Sequence, residues 1–546
     1  MEKNIQDSLI LIIQEALAEL YRDIPGCAQV PVELSLATGF GDLSNNLALR
    51  LGSILKQPPL KIAACLVDSI EKHIRKSPIH DCIKDIKAEG AGFINFYLSE
   101  DYFYRQLKGI IAESKDFGRQ NIGAGKKVMV EFVSANPTGP LSVAHARQAV
   151  VGDALAAILS FLGFSVQREY YLNDEGNQIN ILGKSVGLRL QELKGEKKEF
   201  PENYYQGDYI YDIARQLAAD ALPQQDIGDY AGKYILEIIK EELRDFGISF
   251  DCWYSQKALR KAGAIEKAFE YLKEKGFLYE QDGAQWFKST AFSDDKDRVV
   301  VKSDGSYTYL APDIAYHQNK YKRGFTWLIN LWGPDHHGYI SRLKAAVGAL
   351  GEDPESLSVI IVQLASIFKD GKPLEMSTRR GQYITLREVL DEVGRDAARF
   401  FFIMRRTSSL LNFDLETAKK QTSENPVYYV QYAYARINNI IRNSPFEING
   451  HEFDAQALKE KEELQLIRKL WQFSFILNIC YKTLDPYMMT VYLQEIAEDF
   501  HRFYDRCRVL GNEEAVTRAR LNLVNATRIV LGIGLDLLGI SKPEKM

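Results

Sequence analysis

The chain has 546 residues, 46% of them hydrophobic and 26% charged, with a formal net charge of -5. At about 100–200 residues per domain this leaves room for two to four domains of ordinary soluble, globular composition. The charge gives no hint of a nucleic-acid partner, although a local basic surface would be enough to hold one. No apolar run approaches the roughly 20 residues that span a bilayer, since the best candidate, 521–540, is interrupted by Asn522, Asn525, Arg528 and Asp536. The opening residues show no signal-peptide layout. Cys27, Cys65, Cys82, Cys252, Cys480 and Cys507 are scattered without a Cys-x-x-Cys pair. That spacing suits reduced thiols in a cytoplasmic protein and argues against a structural zinc site.

Read in chain order, the fold class is α/β and multidomain. Residues 1–112 form a small α+β unit. Ile5, Leu9, Ile12, Ile13, Ala16, Leu17 and Leu20 share one helical face. Phe40-Gly41-Asp42-Leu43-Ser44 is a turn before a second helix, a third helix covers about 60–75, and 93–98 is a strand. A polar, glycine-bearing stretch at 113–126 reads as a linker. From Lys127 apolar strands alternate with helices, which predicts a Rossmann-type parallel sheet over 127–415. Its strands fall at 128–133, 326–332 and 358–364, its long helix runs from Ser142 to Leu162 with Gly163 ending it, and 185–290 reads as a charged helical insertion. Residues 416–546 read as an all-α bundle.

The chemistry concentrates in Ser134-Ala135-Asn136-Pro137-Thr138-Gly139-Pro140-Leu141-Ser142-Val143-Ala144-His145-Ala146-Arg147. A strand, a Gly/Pro-rich loop and a helix N-terminus offer backbone N–H groups and a helix dipole to a phosphate. Ser142 suits the N-cap, which puts His145 in the first turn. A plain crossover with a solvent-facing histidine fits the local pattern equally well. Glu131 is a carboxylate in an otherwise apolar strand, so a cation should sit against it, either from a ligand or from an internal Arg or Lys.

The 134–147 segment resembles the first signature, His-Ile-Gly-His, of class I aminoacyl-tRNA synthetases, in the form found in arginyl-tRNA synthetases. Tyr309-Leu310-Ala311-Pro312-Asp313-Ile314-Ala315-Tyr316, Trp332-Gly333-Pro334-Asp335-His336-His337-Gly338-Tyr339 and Tyr429-Val430-Gln431-Tyr432-Ala433-Tyr434-Ala435-Arg436 resemble further blocks of that family. Phe40-Gly41-Asp42, Gly92-Phe93-Ile94-Asn95-Phe96 and the ending Pro543-Glu544-Lys545-Met546 do so as well. Two departures stand out. The first signature reads Ser142-Val143-Ala144-His145. The second, Lys-Met-Ser-Lys in the family, reads Glu375-Met376-Ser377-Thr378 followed by Arg379-Arg380. Both lysines are absent, and a hydroxyl brings no charge to a phosphate. The cationic role would then pass to Arg379, Arg380, Lys369 or Lys372, the last two flanking an Asp370-Gly371 hairpin turn.

The resemblance implies an arginine–tRNA ligase. Arginine's carboxylate attacks the α-phosphate of ATP, with Mg2+ on the phosphates, and the terminal ribose hydroxyl of tRNA(Arg) then takes the arginyl group. The same resemblance assigns catalysis to His145, Ser142, Arg379 and Arg380. It assigns the nucleotide to Pro140, Ser142, His145, His336, Met376 and Ser377. Glu131, Ser134 and Asn136 match positions at the amino-acid backbone end, Tyr309 and Asp313 match the guanidinium end, and Asp335 is expected nearby. Tyr434, Arg436, Tyr504 and Met546 are expected to face the tRNA. Aromatics interleaved with arginines in this bundle (Tyr429, Tyr432, Tyr434, Phe500, Phe503 and Tyr504) suit unstacked bases, although aromatics at helical spacing are more often core. A protein that keeps these domains but only binds tRNA is the rival reading, and a monomer is the expected state.

Overall fold

The computed structural model describes residues 5–37, 39–196, 198–220, 227–374, 384–448 and 453–546. The first helix, Ile5–Tyr21, buries Ile5, Leu9, Ile12, Ile13, Ala16 and Leu17 at the expected spacing. It packs with the helices Leu47–Leu55 and Pro59–Ile74. Beside them lies a four-stranded antiparallel sheet in the order Ser35–Leu36, Leu43–Asn45, Phe93–Leu98, Ile83–Glu89. The helix Glu100–Glu113 leads out of this unit and docks on the C-terminal helices, where the Trp471 indole donates to the Tyr102 hydroxyl at 3.0 Å.

The central sheet has five parallel strands in the order Leu357–Ile361, Trp327–Trp332, Lys127–Glu131, Ser165–Leu172, Cys252–Ser255. The chain starts in the middle strand, builds outward to one side, then returns to build the other. The order therefore reverses beside Lys127–Glu131, and in such sheets the crevice beyond the carboxyl ends of the strands at that point is where ligands bind. The middle strand stops at Glu131, short of the expected 133. Val133 and Ser134 turn the chain with φ of 69° and 40°. A β-branched residue rarely adopts that conformation, and such strain persists only where the surroundings enforce it. The helix Val143–Phe161 then crosses back over the sheet. Gly152 lets it approach closely, because a Cβ there would lie 2.3 Å from the Phe132 ring. Gly163, with φ of 88°, ends the turn as expected.

The stretch at 185–290 holds helical Tyr209–Asp220, Ile227–Asp245 and Ala264–Glu274, and also the edge strand Cys252–Ser255. That strand is four half-buried residues with no alternation, so periodicity does not announce it. Two three-stranded sheets are added to these: Ala284–Phe287 lies between Leu278–Gln281 and Arg298–Val301, and Ala365–Lys369 between Lys372–Pro373 and Leu411–Asp414. Asp370 and Gly371, both at positive φ, make the two-residue turn that was expected. Beyond it the chain is helical: Pro426–Arg442, Lys461–Trp471, Phe473–Thr483, Tyr487–Arg506 and Glu514–Leu537 pack as a bundle. The α/β core, the small N-terminal unit and the all-α C-terminal unit match the expected fold class.

Arg147 ties these parts together. It is fully buried, and its guanidinium donates to the carbonyls of Gln363, Leu364, Arg405, Arg406 and Ser409 at 2.8–3.5 Å. The bundle holds the same loop, since Asp485 accepts from the Thr407 N–H and hydroxyl. One side chain thus fastens the long helix, the strand leading toward residue 374 and the junction with the bundle.

Candidate active site

Two adjoining clefts, of about 410 and 880 Å³, open at the carboxyl ends of the strands and share Ala135, Asn136, His145 and Tyr309. The narrower one is lined by Glu131, Ser134, Asn136, His145, Tyr309, Asp313, Asp335 and His336 among others. The wider one is lined by Asn136, Pro140, Ser142, His145 and Tyr309, and by Tyr204, Tyr205 and Tyr209 from the helical region. All the described residues expected to handle the amino acid and the nucleotide therefore meet in one place.

At the head of the long helix, Ser142 is the N-cap in extended conformation, and its N–H donates to His145 Nδ1 at 3.2 Å. That bond makes Nδ1 the acceptor, so the ring proton sits on Nε2. Burial lowers the His145 pKa to about 4, against the opposing attraction of Asp335. The ring is therefore a neutral N–H donor at a helix N-terminus. The Val143 N–H is taken by the Ile384 carbonyl at 3.3 Å, and the Leu386 N–H donates to Leu141 at 2.7 Å. The chain that re-enters after residue 383 is thus bound directly to the first signature. Glu375, Met376, Ser377, Thr378, Arg379 and Arg380 lie outside the described residues, but both flanks are placed. Of the alternative cations, Lys369 is paired with Glu392 at 2.9 Å and Lys372 is exposed on the same hairpin.

The other half of the site is a row of polar residues across the sheet. Asn330 is in register with Glu131, and Glu131 with Glu169. The helix Leu310–Lys322 lies over that row. Lys320 reaches Glu131 Oε2 at 2.5 Å and Asn330 Oδ1 at 3.1 Å, while Arg323 and the Tyr316 hydroxyl hold Glu169. Two buried carboxylates and two cations balance. The cation required beside Glu131 is thus internal, and the second carboxylate oxygen accepts from the Ser134 hydroxyl at 3.1 Å. Asp313 is in the first turn of that helix, where its Oδ2 accepts from the Tyr339 hydroxyl at 2.7 Å. Burial, reinforced by the nearby Glu131 charge, pushes its pKa up to about 7, against the Tyr339 bond. Tyr309, just before this helix, is 75% exposed at the mouth of both clefts.

Asn136 donates to Gln178 at 2.5 Å. Asp335 and His336 form an exposed pair at 3.4 Å just beyond the strand Trp327–Trp332. Sequence reading missed Lys320, Asn330, His317 and Tyr339. The spacing of Asp313, His317 and Lys320, which fall on one helical face, was the available signal. Among the described residues no group of three or more His, Cys, Asp or Glu side chains could hold a metal ion.

In the bundle, Phe500 and Phe503 are core. A surface cluster remains. Arg436 donates to the Tyr432 hydroxyl at 2.6 Å and lies over the rings of Tyr432 and Tyr504, 4.6 and 4.8 Å from their centroids. Tyr434 is half-buried against the last helix, near Gly532, and Met546 is exposed. Among the described residues no helix is long and apolar enough to cross a membrane.

Comparison with known proteins matches three families along the chain. Residues 7–98 match the arginyl tRNA synthetase N terminal domain, 106–443 the class I (R) tRNA synthetase catalytic domain, and 430–546 the DALR anticodon binding domain. The chain is 45% identical to the arginine–tRNA ligase of Citrifermentans bemidjiense, over 98% of this chain and 100% of that protein. It is 44% identical to that of Geobacillus kaustophilus, over 95% and 94%. Its fold superposes on Thermus thermophilus arginyl-tRNA synthetase with a TM-score of 0.79 over 100% of both chains, at 21% identity.

Proposed function

From the premise that the chain belongs to the arginyl-tRNA synthetase family, we propose how its residues divide the work of an arginine–tRNA ligase. The observation that carries this reading is the pair of carboxylates in one narrow cleft, Glu131 and Asp313, beside the helix N-terminus that presents His145. Arginine has a cation at each end, and a planar guanidinium is best met by a carboxylate. Asp313 and Tyr309 take the guanidinium. Glu131, Ser134 and Asn136 take the amino group and backbone end, and Asp335 borders the same cleft. ATP lies over the signature loop, with Pro140 and Ser142 beneath it, His336 at its side and Met376 and Ser377 from the second signature.

The reaction needs no protein nucleophile. The enzyme aligns the arginine carboxylate with the α-phosphate and stabilises the charge that builds there. His145 donates its Nε2–H to that phosphate, and Arg379 and Arg380 supply the positive charge that the missing lysines would bring. Mg2+ bound to the triphosphate would offset part of its charge. The wider cleft, with its tyrosines and amides, receives the terminal nucleotide of the tRNA. Residues 1–112 and 416–546 hold the body of tRNA(Arg), while 127–415 carries out the chemistry as a cytoplasmic monomer.

Charging of tRNA(Arg) with labelled arginine tests the division. Arg436→Ala removes the cation between Tyr432 and Tyr504 and should raise KM for tRNA about tenfold, the order expected for one stacking contact. The kcat should stay within about twofold. An unchanged KM for tRNA would remove this cluster, with Tyr434, Tyr504 and Met546 beside it, from the proposed RNA surface.

A further inference from the structure

A continuous chain of hydrogen bonds runs from the Glu131 carboxylate to the backbone carbonyl of Asp313, the two residues proposed to grip opposite ends of the substrate. From Glu131 it runs to Lys320 Nζ at 2.5 Å, and from Lys320 to Asn330 Oδ1 at 3.1 Å. The Asn330 amide donates to His317 Nε2 at 3.0 Å, and His317 Nδ1 donates to the Asp313 carbonyl at 2.8 Å. Every polar atom in it has its donor or acceptor role fixed by its neighbour. With Asn330 Oδ1 accepting from an ammonium, its amide nitrogen must donate, so His317 must carry its proton on Nδ1. Glu131, Lys320, Asn330 and His317 are 0–7% exposed, and Asp313 is half-buried. They belong to different elements: His317 and Lys320 to the helix Leu310–Lys322, Glu131 and Asn330 to adjacent strands. An ion pair this deeply buried is a poor source of stability compared with an apolar replacement, and its best-attested use is to fix one arrangement out of several.

We propose that Lys320, Asn330 and His317 are positioning residues that set the separation of Glu131 and Asp313, and so make the cleft selective for side-chain length. None of the three needs to touch the substrate. Lys320 holds one Glu131 oxygen and leaves the other, with Ser134, toward the cleft. His317 anchors the turn from which Asp313 projects. A guanidino amino acid with one methylene fewer or more would meet one carboxylate and miss the other. This inference rests on the substrate reading given above for Glu131 and Asp313.

The test uses the full chain with tRNA(Arg) and measures amino-acid-dependent exchange of pyrophosphate into ATP. Arginine is compared with norarginine, which is one methylene shorter, and homoarginine, one methylene longer. Lys320→Met and Asn330→Ala should each raise KM for arginine at least tenfold and leave kcat within about threefold. Each should also reduce the preference for arginine over the better analogue at least tenfold in kcat/KM. General damage to the fold would instead lower activity toward all three alike and leave the preference unchanged, and that result in both variants would overturn the proposal. If Lys320→Met is not recovered folded, Asn330→Ala, which keeps the Lys320–Glu131 pair, decides alone. Glu131→Gln separates the two levels. Loss of arginine use there with an unchanged preference in Asn330→Ala would overturn only the relay. Unchanged arginine kinetics in Glu131→Gln would overturn the reading beneath it.

Discussion

Replacing Asp313 with asparagine is expected to lower kcat/KM for arginine about a thousandfold, most of it in KM. The substitution keeps shape and the Tyr339 contact but removes the charge opposite the guanidinium. Losing one partner of a buried charge pair costs about 2–5 kcal/mol, which spans that factor. The wild-type pH profile is a second check on the same residue. Burial first, and the Glu131 charge second, raise the Asp313 pKa to about 7. Below that pH the free enzyme carries a neutral carboxyl that offers a guanidinium no countercharge. KM for arginine should therefore rise about tenfold per unit as pH falls below 7 and level off above it. In Asp313→Asn this inflection should disappear. An unchanged KM would remove Asp313 from the pocket.

The second large effect belongs to His145. His145→Ala should reduce the rate of adenylate formation by about a hundred- to a thousandfold, the usual loss for one donor aimed at charge that develops in the transition state. KM for arginine should move little. Because burial holds the His145 pKa at about 4, the ring stays neutral across the working range. The wild-type kcat profile should thus show no inflection near 6.5 from this residue. The alanine variant also loses the acceptor for the Ser142 N–H, at a stability cost of about 1 kcal/mol as for other helix caps, so melting temperatures should be compared alongside. His145→Gln, which retains a side-chain N–H, should recover part of the rate. A rise in KM for ATP of that size with kcat unchanged would assign His145 to ground-state binding instead.

Local pattern carried much of this molecule into view. The 134–147 segment is legible because a strand, a Gly/Pro loop and a capped helix follow one another in sequence, so its geometry needs no distant partner. Glu131 is similarly legible as a charge that must be paired. Its partner was not, because Lys320 lies 189 positions away and its direction depends on which face of Leu310–Lys322 meets the sheet. The same holds for Tyr339 against Asp313 and for Asn330 against His317, contacts that tertiary packing makes. Cys252–Ser255 escaped notice because an edge strand of four half-buried residues has no period to read. For Phe500 and Phe503 the core reading of aromatics at helical spacing holds, since helical packing buries both and leaves Arg436, Tyr432 and Tyr504 outside.

The departures from the family signatures make one measurement decisive, namely exchange of labelled pyrophosphate into ATP with and without arginine and with and without tRNA(Arg). The site described here should support exchange that requires arginine, is not supported by lysine, and is strongest with tRNA present. That outcome would show that the cationic role has passed to other residues, with Arg379→Ala and Arg380→Ala the next variants to assay. No exchange under any condition, from a chain that still binds tRNA(Arg), would contradict the account and mark a protein that has kept the fold and lost the activation chemistry.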